Sequence, residues 1–308
     1  MEKMNFSTVV TNLSTYVDQI GTGEIIKVLA GSAPSIKYLA KQGGVNQTTD
    51  IHMMDVQGAF GDGKNCTLND NTSFTFTDRK LVPAIVKQES VVCANELIGK
   101  WLSYKENFTV SNEAVPFEQA MLDAFVRSVG DNLESAIWNG TNINSTVTKG
   151  FCDIISEEGV KVKAGASATV YDQLIAAVKG IPSKFRGKVE LFVSPLKMID
   201  IKNELLKRDV RLTDLNFTNG TEVDENTIKM PVFGTLIHEV SGIADTDDAI
   251  YGLVPEHAVY GYSVNGENVD AKVIYDDVND RTIFRAKLAI ATQVAYPSET
   301  IYVTRTDA

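Results

Sequence analysis

Residues 116–140 read PFEQAMLDAFVRSVGDNLESAIWNG, a stretch with a start, a stripe and a stop. Pro116 suits a first helical turn, where the missing amide proton has no intrahelical partner to lose. Glu118 stands where the positive end of the helix favours an acid. Leu122, Phe125, Val126, Val129, Leu133, Ala136 and Ile137 then recur at steps of three and four along one face. Gly140 supplies the left-handed residue that closes a helix. The pattern predicts a helix from Pro116 to Asn139, roughly 36 Å long, with one apolar stripe and a polar back. Such a helix is a spine onto which other elements pack.

On its N-terminal side the chain has little core of its own. Residues 1–44 read as short helices, Thr8–Ile20, Glu24–Ala30 and Ser35–Lys41, the last ending at Gly43-Gly44. None is long enough to persist alone, so this arm is expected to lie on another surface. Two β-type stretches follow, Thr49–Phe60 and Cys66–Thr77, separated by Gly61-Asp62-Gly63-Lys64, which supplies hairpin-turn chemistry. Their large apolar residues are few (Ile51, Met53, Val56, Leu68, Phe74, Phe76), and a lone hairpin of this kind is marginal in water without a partner. Leu81–Val92 reads as a more apolar strand and Ala94–Tyr104 as a short helix. Trp101 and Trp138 fall on helices beside other apolar residues, which suits core packing or subunit contact.

C-terminal to the spine, 141–165 reads as irregular, and helices and strands then alternate. Thr169–Lys179 and Pro195–Lys207 are helical; Lys188–Val193 is a strand. A polar loop, Asp214–Asn226, leads to the strand Val232–Val240. Strand-like runs follow at Ala249–Val254, Ala258–Val264 and Val269–Tyr275. Asp276-Asp277-Val278-Asn279-Asp280 forms a polar turn before Arg281, and a long strand, Thr282–Val294, breaks at Tyr296-Pro297 before a last one, Glu299–Thr304. The class is α+β, with an α/β insertion between a spine helix and returning strands.

Composition excludes more than it selects. A net charge of −11 over 308 residues disfavours a nucleic-acid reader with a basic stripe. No apolar run approaches the ~20 residues of a membrane helix, and the N-terminus lacks a basic-then-apolar signal sequence. Cys66, Cys93 and Cys152 are odd in number and widely spaced, and His52, His238 and His257 show no ligand spacing, so neither a disulfide framework nor a metal site is expected. Ser194-Pro195-Leu196-Lys197 matches a Ser-x-x-Lys string, but its companion Ser-Asp-Asn and Lys-Thr-Gly elements are missing, and Ser194 reads better as a helix cap with Pro195 at the first position. No catalytic constellation and no cofactor motif is found. Acid is concentrated in 222–256, where eight carboxylates face Lys229 alone.

In this order the elements resemble a Hong Kong 97-type major capsid protein of tailed bacteriophages, a fold shared with encapsulins. Four local features carry the likeness: the acidic, Ala-containing helix end Asp131–Gly140; the strand-to-helix step Leu191-Phe192-Val193-Ser194-Pro195; Val232-Phe233-Gly234-Thr235-Leu236-Ile237; and Arg285–Ile290 followed by Tyr296-Pro297. The resemblance implies an N-terminal arm at 1–48, an E-loop hairpin at 49–80, a peripheral domain at 81–164 with its spine helix at 115–140, and an axial domain at 165–262. A peripheral return at 263–296 and an axial C-terminal strand at 297–308 would complete it.

The implied role is a virion shell subunit that assembles with itself into hexameric and pentameric capsomers in a host bacterial cytoplasm. It would enclose double-stranded DNA without reading its sequence, and an encapsulin-type nanocompartment is the alternative. Portal and decoration proteins are implied partners, and a start close to Met1 points to a separate scaffolding protein. Expected assembly contacts are Ile51, Met53, Lys64, Phe74 and Phe76 on the hairpin and Asp277, Asn279, Asp280 and Arg281 on the turn. Some relatives join such loops by a Lys–Asn isopeptide bond; Lys64 and Asn279 lie in comparable loops, but no crosslink is expected. Part of the acidic 222–256 region is expected to face the capsomer axis or shell interior.

Overall fold

A computed structural model describes residues 27–58, 72–93, 117–143, 146–165, 168–208, 217–218, 221–222, 226–230, 233–245, 248–263, 269–276, 278–279 and 281–305. The expected helices Thr8–Ile20 and Ala94–Tyr104, the turn at 61–64, Cys66 and Trp101 lie outside them.

Residues 27–30 are helical, and a 3-10 turn, Pro34–Tyr38, follows. Strand β1 (Ala40–Gly43) comes next, where the sequence pattern predicts a continuing helix. The chain turns extended there because β1 finds a parallel partner far away in sequence. Strands β2 (Thr49–Gly58) and β3 (Thr72–Leu81) form an antiparallel pair, and β4 (Ala84–Cys93) follows. The spine helix α1 runs Phe117–Asn139, about 34 Å, and Gly140 closes it at φ 75°. The pair β5 (Thr141–Ile143) and β6 (Thr146–Thr148) leads into α2 (Phe151–Glu158), a two-turn helix in the stretch read as irregular. Then come β7 (Val160–Ala164), α3 (Val170–Gly180), β8 (Glu190–Val193) and α4 (Pro195–Lys207). The chain continues through β9 (Phe217–Thr218), β10 (Thr221–Glu222), β11 (Thr227–Lys229), β12 (Leu236–Glu239) and β13 (Ile250–Leu253). Strands β14 (Ala258–Ser263), β15 (Asp270–Asp276), β16 (Arg281–Val294) and β17 (Ile301–Arg305) complete it.

Two sheets organise these elements. In the first, the long β16 pairs with β4 along one edge and with β15 and β14 end to end along the other, and β1 adds to β14. In the second the order is β11-β12-β8-β13-β17-β7. Strand β14 pairs with β16 and belongs to the first sheet, and β7 pairs in parallel with β17 and belongs to the second.

Helix α1 lays Phe125, Val129, Leu133 and Ile137 into the larger core with Phe284, Ala286 and Leu288 of β16. Gln88 on β4 accepts a hydrogen bond from Asn132 (3.0 Å) and donates one to Ser128 (2.9 Å) on the helix. The C-terminal end of α1 reaches the second sheet, where Trp138 packs on Phe192 and Phe151. Trp138 is fully buried, which decides for core packing over subunit contact. The opposite face of the second sheet is covered by α3 and α4 through a separate core of Leu174, Val178, Met198, Ile201 and Leu205. The second sheet is therefore covered on both faces, which fixes its orientation on the spine.

Candidate assembly surface

Among the described residues, the hairpin β2–β3 is held at its base. Leu81 is fully buried with Val45 and Ala291, and Ile51 and Val259 pack against them. Arg79 Nη2 donates to Glu158 Oε2 of α2 (2.7 Å) and to Gln293 Oε1 of β16 (3.0 Å), and Gln293 Nε2 donates to the Lys80 carbonyl (3.0 Å). Beyond this knot the described strands stand in solvent: 54–58 and 73–78 are exposed throughout.

Cross-strand register decides which side chains share a face. Met54 is opposite Phe76 and Val56 opposite Phe74, with His52 opposite Asp78 at the inner end. These six residues lie on one face, and its four apolar members are 55%, 72%, 45% and 60% exposed in that order. The other face carries Asp55 with Thr75 and Gln57 with Ser73. Of the expected hairpin contacts, Phe74 and Phe76 are on the open face, whereas Ile51 and Met53 are not. Both belong to the other face, Ile51 packed at the base and Met53 buried at 8% exposure. Lys64 lies outside the described residues. Met54, the neighbour of Met53 in sequence, is on the open face with the two rings.

At the inner edge of the patch His52 Nδ1 and Asp78 Oδ1 are 2.6 Å apart, both exposed. The hydrogen bond to Asp78, helped by its charge, holds the imidazole above its ordinary value of 6.5.

The β15–β16 turn is built around Asp276. It accepts from Asn279 Nδ2 (2.8 Å), Arg281 Nε (2.7 Å) and the Val278 amide (3.2 Å), and Asn279 and Arg281 hold its carboxyl below the usual range. Val278 stands 91% exposed beside it. Asn279 and Arg281 thus bond inward to Asp276, while Asp277 and Asp280 lie outside the described residues.

The root of the arm is clamped to the spine. Glu134 Oε2 accepts from the Ser35 amide (3.0 Å) and hydroxyl (2.8 Å), and Trp138 Nε1 donates to the same hydroxyl (2.9 Å). Burial pushes the Glu134 carboxyl up, against the pull of Ser35 and the Gly242 amide, and its Oε1 has no partner among the described residues. Three residues on, Tyr38 Oη meets Thr227 Oγ1 (3.1 Å), which in turn meets His238 Nδ1 (2.9 Å); His238 Nε2 meets Glu190 Oε2 (2.7 Å). The root is thereby tied to both the helix and the second sheet.

No family model matches the sequence, and no curated protein matches it. Solved structures do. The capsid of a native GTA particle is similar over 90% of this chain and 91% of its own, at 12% identity and TM-score 0.54. A chain of Mycobacterium phage Cain matches over 90% and 91%, at 13% identity and TM-score 0.56. A virus-like particle from Pyrococcus furiosus matches over 94% and 99%, at 12% identity and TM-score 0.54. The chain has the Hong Kong 97-type capsid fold.

In this fold the Ser-x-x-Lys string is structural. Ser194 is fully buried and its hydroxyl accepts from the Lys197 amide at the start of α4. Lys197 is buried, bonded to Gln173 and Asp248, and burial pushes its ammonium down. The acidic 222–256 region is not one open face. Asp248 pairs with Lys197 and Arg305, Glu239 lies 3.9 Å from Lys202, and Asp245 accepts from the Leu196 amide at the N-terminus of α4. Asp224, Glu225 and Asp247 lie outside the described residues. Among the described residues no His, Cys, Asp and Glu cluster suits a metal ion, and no helix is long and apolar enough to cross a membrane.

Proposed function

We propose that this chain is the major capsid protein of a tailed double-stranded DNA bacteriophage, a non-enzymatic subunit that assembles with itself into the hexamers and pentamers of an icosahedral shell. The carrying observation is the open hairpin face of Met54, Val56, Phe74 and Phe76, held by its base and left exposed by the described residues. A patch of this kind marks an interaction site, and a protruding arm gains order only when it lies across a neighbour. An open cleft of about 370 Å³ lies between α1 and the strands β4 and β16, with Lys87, Gln88, Asn132 and Ser135 beside Val86 and Leu288 in its lining.

On this reading the arm is 1–48 and the E-loop hairpin 49–80. The peripheral domain is the first sheet with its spine helix, and the axial domain is the second sheet with α3 and α4. The shell would enclose DNA without sequence-specific contacts, be built in the host cytoplasm with the help of scaffolding, and carry a portal and decoration proteins. Electron microscopy and sedimentation of the purified chain test this reading: closed particles or capsomer rings support it, and a monomer at all concentrations overturns it.

The likeness to the virus-like particle favours a second reading, an encapsulin-type nanocompartment. Terminase and portal genes beside this one support the phage form; a neighbouring cargo enzyme gene supports the other.

A further inference from the structure

Lys197, the lysine of the Ser-x-x-Lys string, and Gln173 of α3 are both buried where α3 meets α4, at 3% and 0% exposure. Each stands next in sequence to a member of the core beneath, Met198 and Leu174. The Asp248 carboxylate bridges the two. Its Oδ1 accepts from Lys197 Nζ, and its Oδ2 accepts from Gln173 Nε2 (3.2 Å). Lys197 Nζ also donates to Gln173 Oε1 and to the Asp248 carbonyl (3.1 Å). Arg305 Nε lies 3.0 Å from Oδ2 and anchors the carboxylate.

An ion pair alone does not account for this arrangement. A buried ammonium calls for a carboxylate, whereas here a carboxamide is inserted with both ends engaged, its oxygen on the amine and its nitrogen on the acid. The partners fix the orientation of that amide, because an ammonium only donates and a carboxylate only accepts. The three groups close a ring that holds the parts for amide exchange. It has a nucleophile, an acyl group, and an acid–base group touching both the nucleophile and the leaving nitrogen. Burial pushes the Lys197 ammonium down, which favours the free amine that attacks. Fixed contact also makes the step intramolecular, an advantage that reaches about 10⁵–10⁸ M in effective concentration.

We propose that Lys197 and Gln173 form an isopeptide bond within the chain, with Asp248 as the proton carrier, so that α3 and α4 become covalently joined. The Lys197 ammonium gives a proton to Asp248 Oδ1, and the freed amine attacks Gln173 Cδ, moving the carbonyl electron pair onto Oε1. Asp248 then protonates Nε2. As the carbonyl re-forms, the Cδ–Nε2 bond breaks with its electron pair, and ammonia leaves by the open side of Asp248, whose side chain is 49% exposed. The new amide nitrogen returns its surplus proton to Asp248, and ammonia carries that proton away as ammonium. Nothing is oxidised or reduced. The bond is independent of the shell reading and needs no second copy of the chain.

Intact-mass spectrometry of the purified full chain is the test. Folded wild type should be lighter than its sequence by the mass of one ammonia, and a protease digest should give a branched peptide joining Gln173 to Lys197. Lys197→Arg keeps the charge without the amine and should keep the full mass. Asp248→Asn should form the bond roughly a hundredfold more slowly. Folded wild type that keeps its full mass after days at neutral pH overturns the bond. So does a loss of ammonia that the digest maps to an asparagine instead, or an Asp248→Asn variant that forms the bond at the wild-type rate.

Discussion

Replacing Phe74 and Phe76 by Ser removes the two most exposed large side chains of the hairpin face, 60% and 72% open to solvent. Full burial of a Phe side chain stabilises by roughly 1.5–3 kcal/mol. About two-thirds of that remains to be gained when the hairpin is covered, so each ring is worth about 1–2 kcal/mol to an interface. Together they amount to about 3 kcal/mol, or about two orders of magnitude in the association constant of each subunit. The isolated chain loses almost nothing, because the rings touch mainly water before assembly. The double variant should therefore melt at the wild-type temperature but need about a hundredfold higher concentration to assemble, as followed by light scattering and sedimentation velocity. Thr75→Ala, on the other face of the same strand, should leave both readings unchanged. The reasoning fails if the double variant assembles at the wild-type threshold. It also fails if the variant melts several degrees lower, which would place the two rings inside the chain's own core.

Gly242→Ala should destabilise the chain by roughly 2–3 kcal/mol, the upper range for overpacking, because a Cβ there would lie 2.4 Å from the Glu134 carbonyl oxygen and 2.8 Å from Trp138 Cδ1; chemical denaturation measures it. Glu134→Gln tests the clamp on the arm. A carboxyl whose folded pKa is raised binds its proton more tightly when folded, so its contribution to stability falls as pH rises from the ordinary value of 4.5 through the folded value. The melting temperature of the wild type minus that of Glu134→Gln should therefore increase on acidification from pH 7 toward 4.5; a difference that is flat or of opposite slope refutes the assignment. His52 should titrate above 6.5 by NMR, and Asp78→Asn should bring it back down.

The parts of this fold that were legible in the sequence are those whose causes are local. Helix α1 carries its own start, stripe and stop, and Gly140 does sit at positive φ. Helix α4 begins at Pro195 because Ser194 caps it, a relation contained within four residues. The parts that were not legible depend on partners far along the chain. Nothing local in Ala40–Gly43 marks a strand; it becomes one by pairing with Val259–Tyr262. Val160–Ala164 is a strand because Ile301–Arg305 lies beside it, and α2, at eight residues, is too short for periodicity to reveal.

The contact surfaces follow the same rule one level up. In the hairpin the observed register pairs residues whose numbers sum to 130, so even-numbered side chains of both strands share a face. Ile51 and Met53 were paired with Phe74 and Phe76 on residue type, and parity alone separates them. Met54 and Val56 belong with the two rings instead. Helix α4 shows the same dependence on distant partners. The heptad-like spacing of Leu196, Ile199, Asn203 and Leu206 was present in the sequence, but so was the spacing of Met198, Ile201 and Leu205, and either set could have faced the core. Only the sheet beneath the helix, reached by Met198 and Ile201, decides which set is inward. The outward set, Leu196, Ile199 and Leu206, is left about half exposed. Single exposed apolar residues are ordinary, whereas a contiguous open face such as Met54, Val56, Phe74 and Phe76 calls for a neighbour.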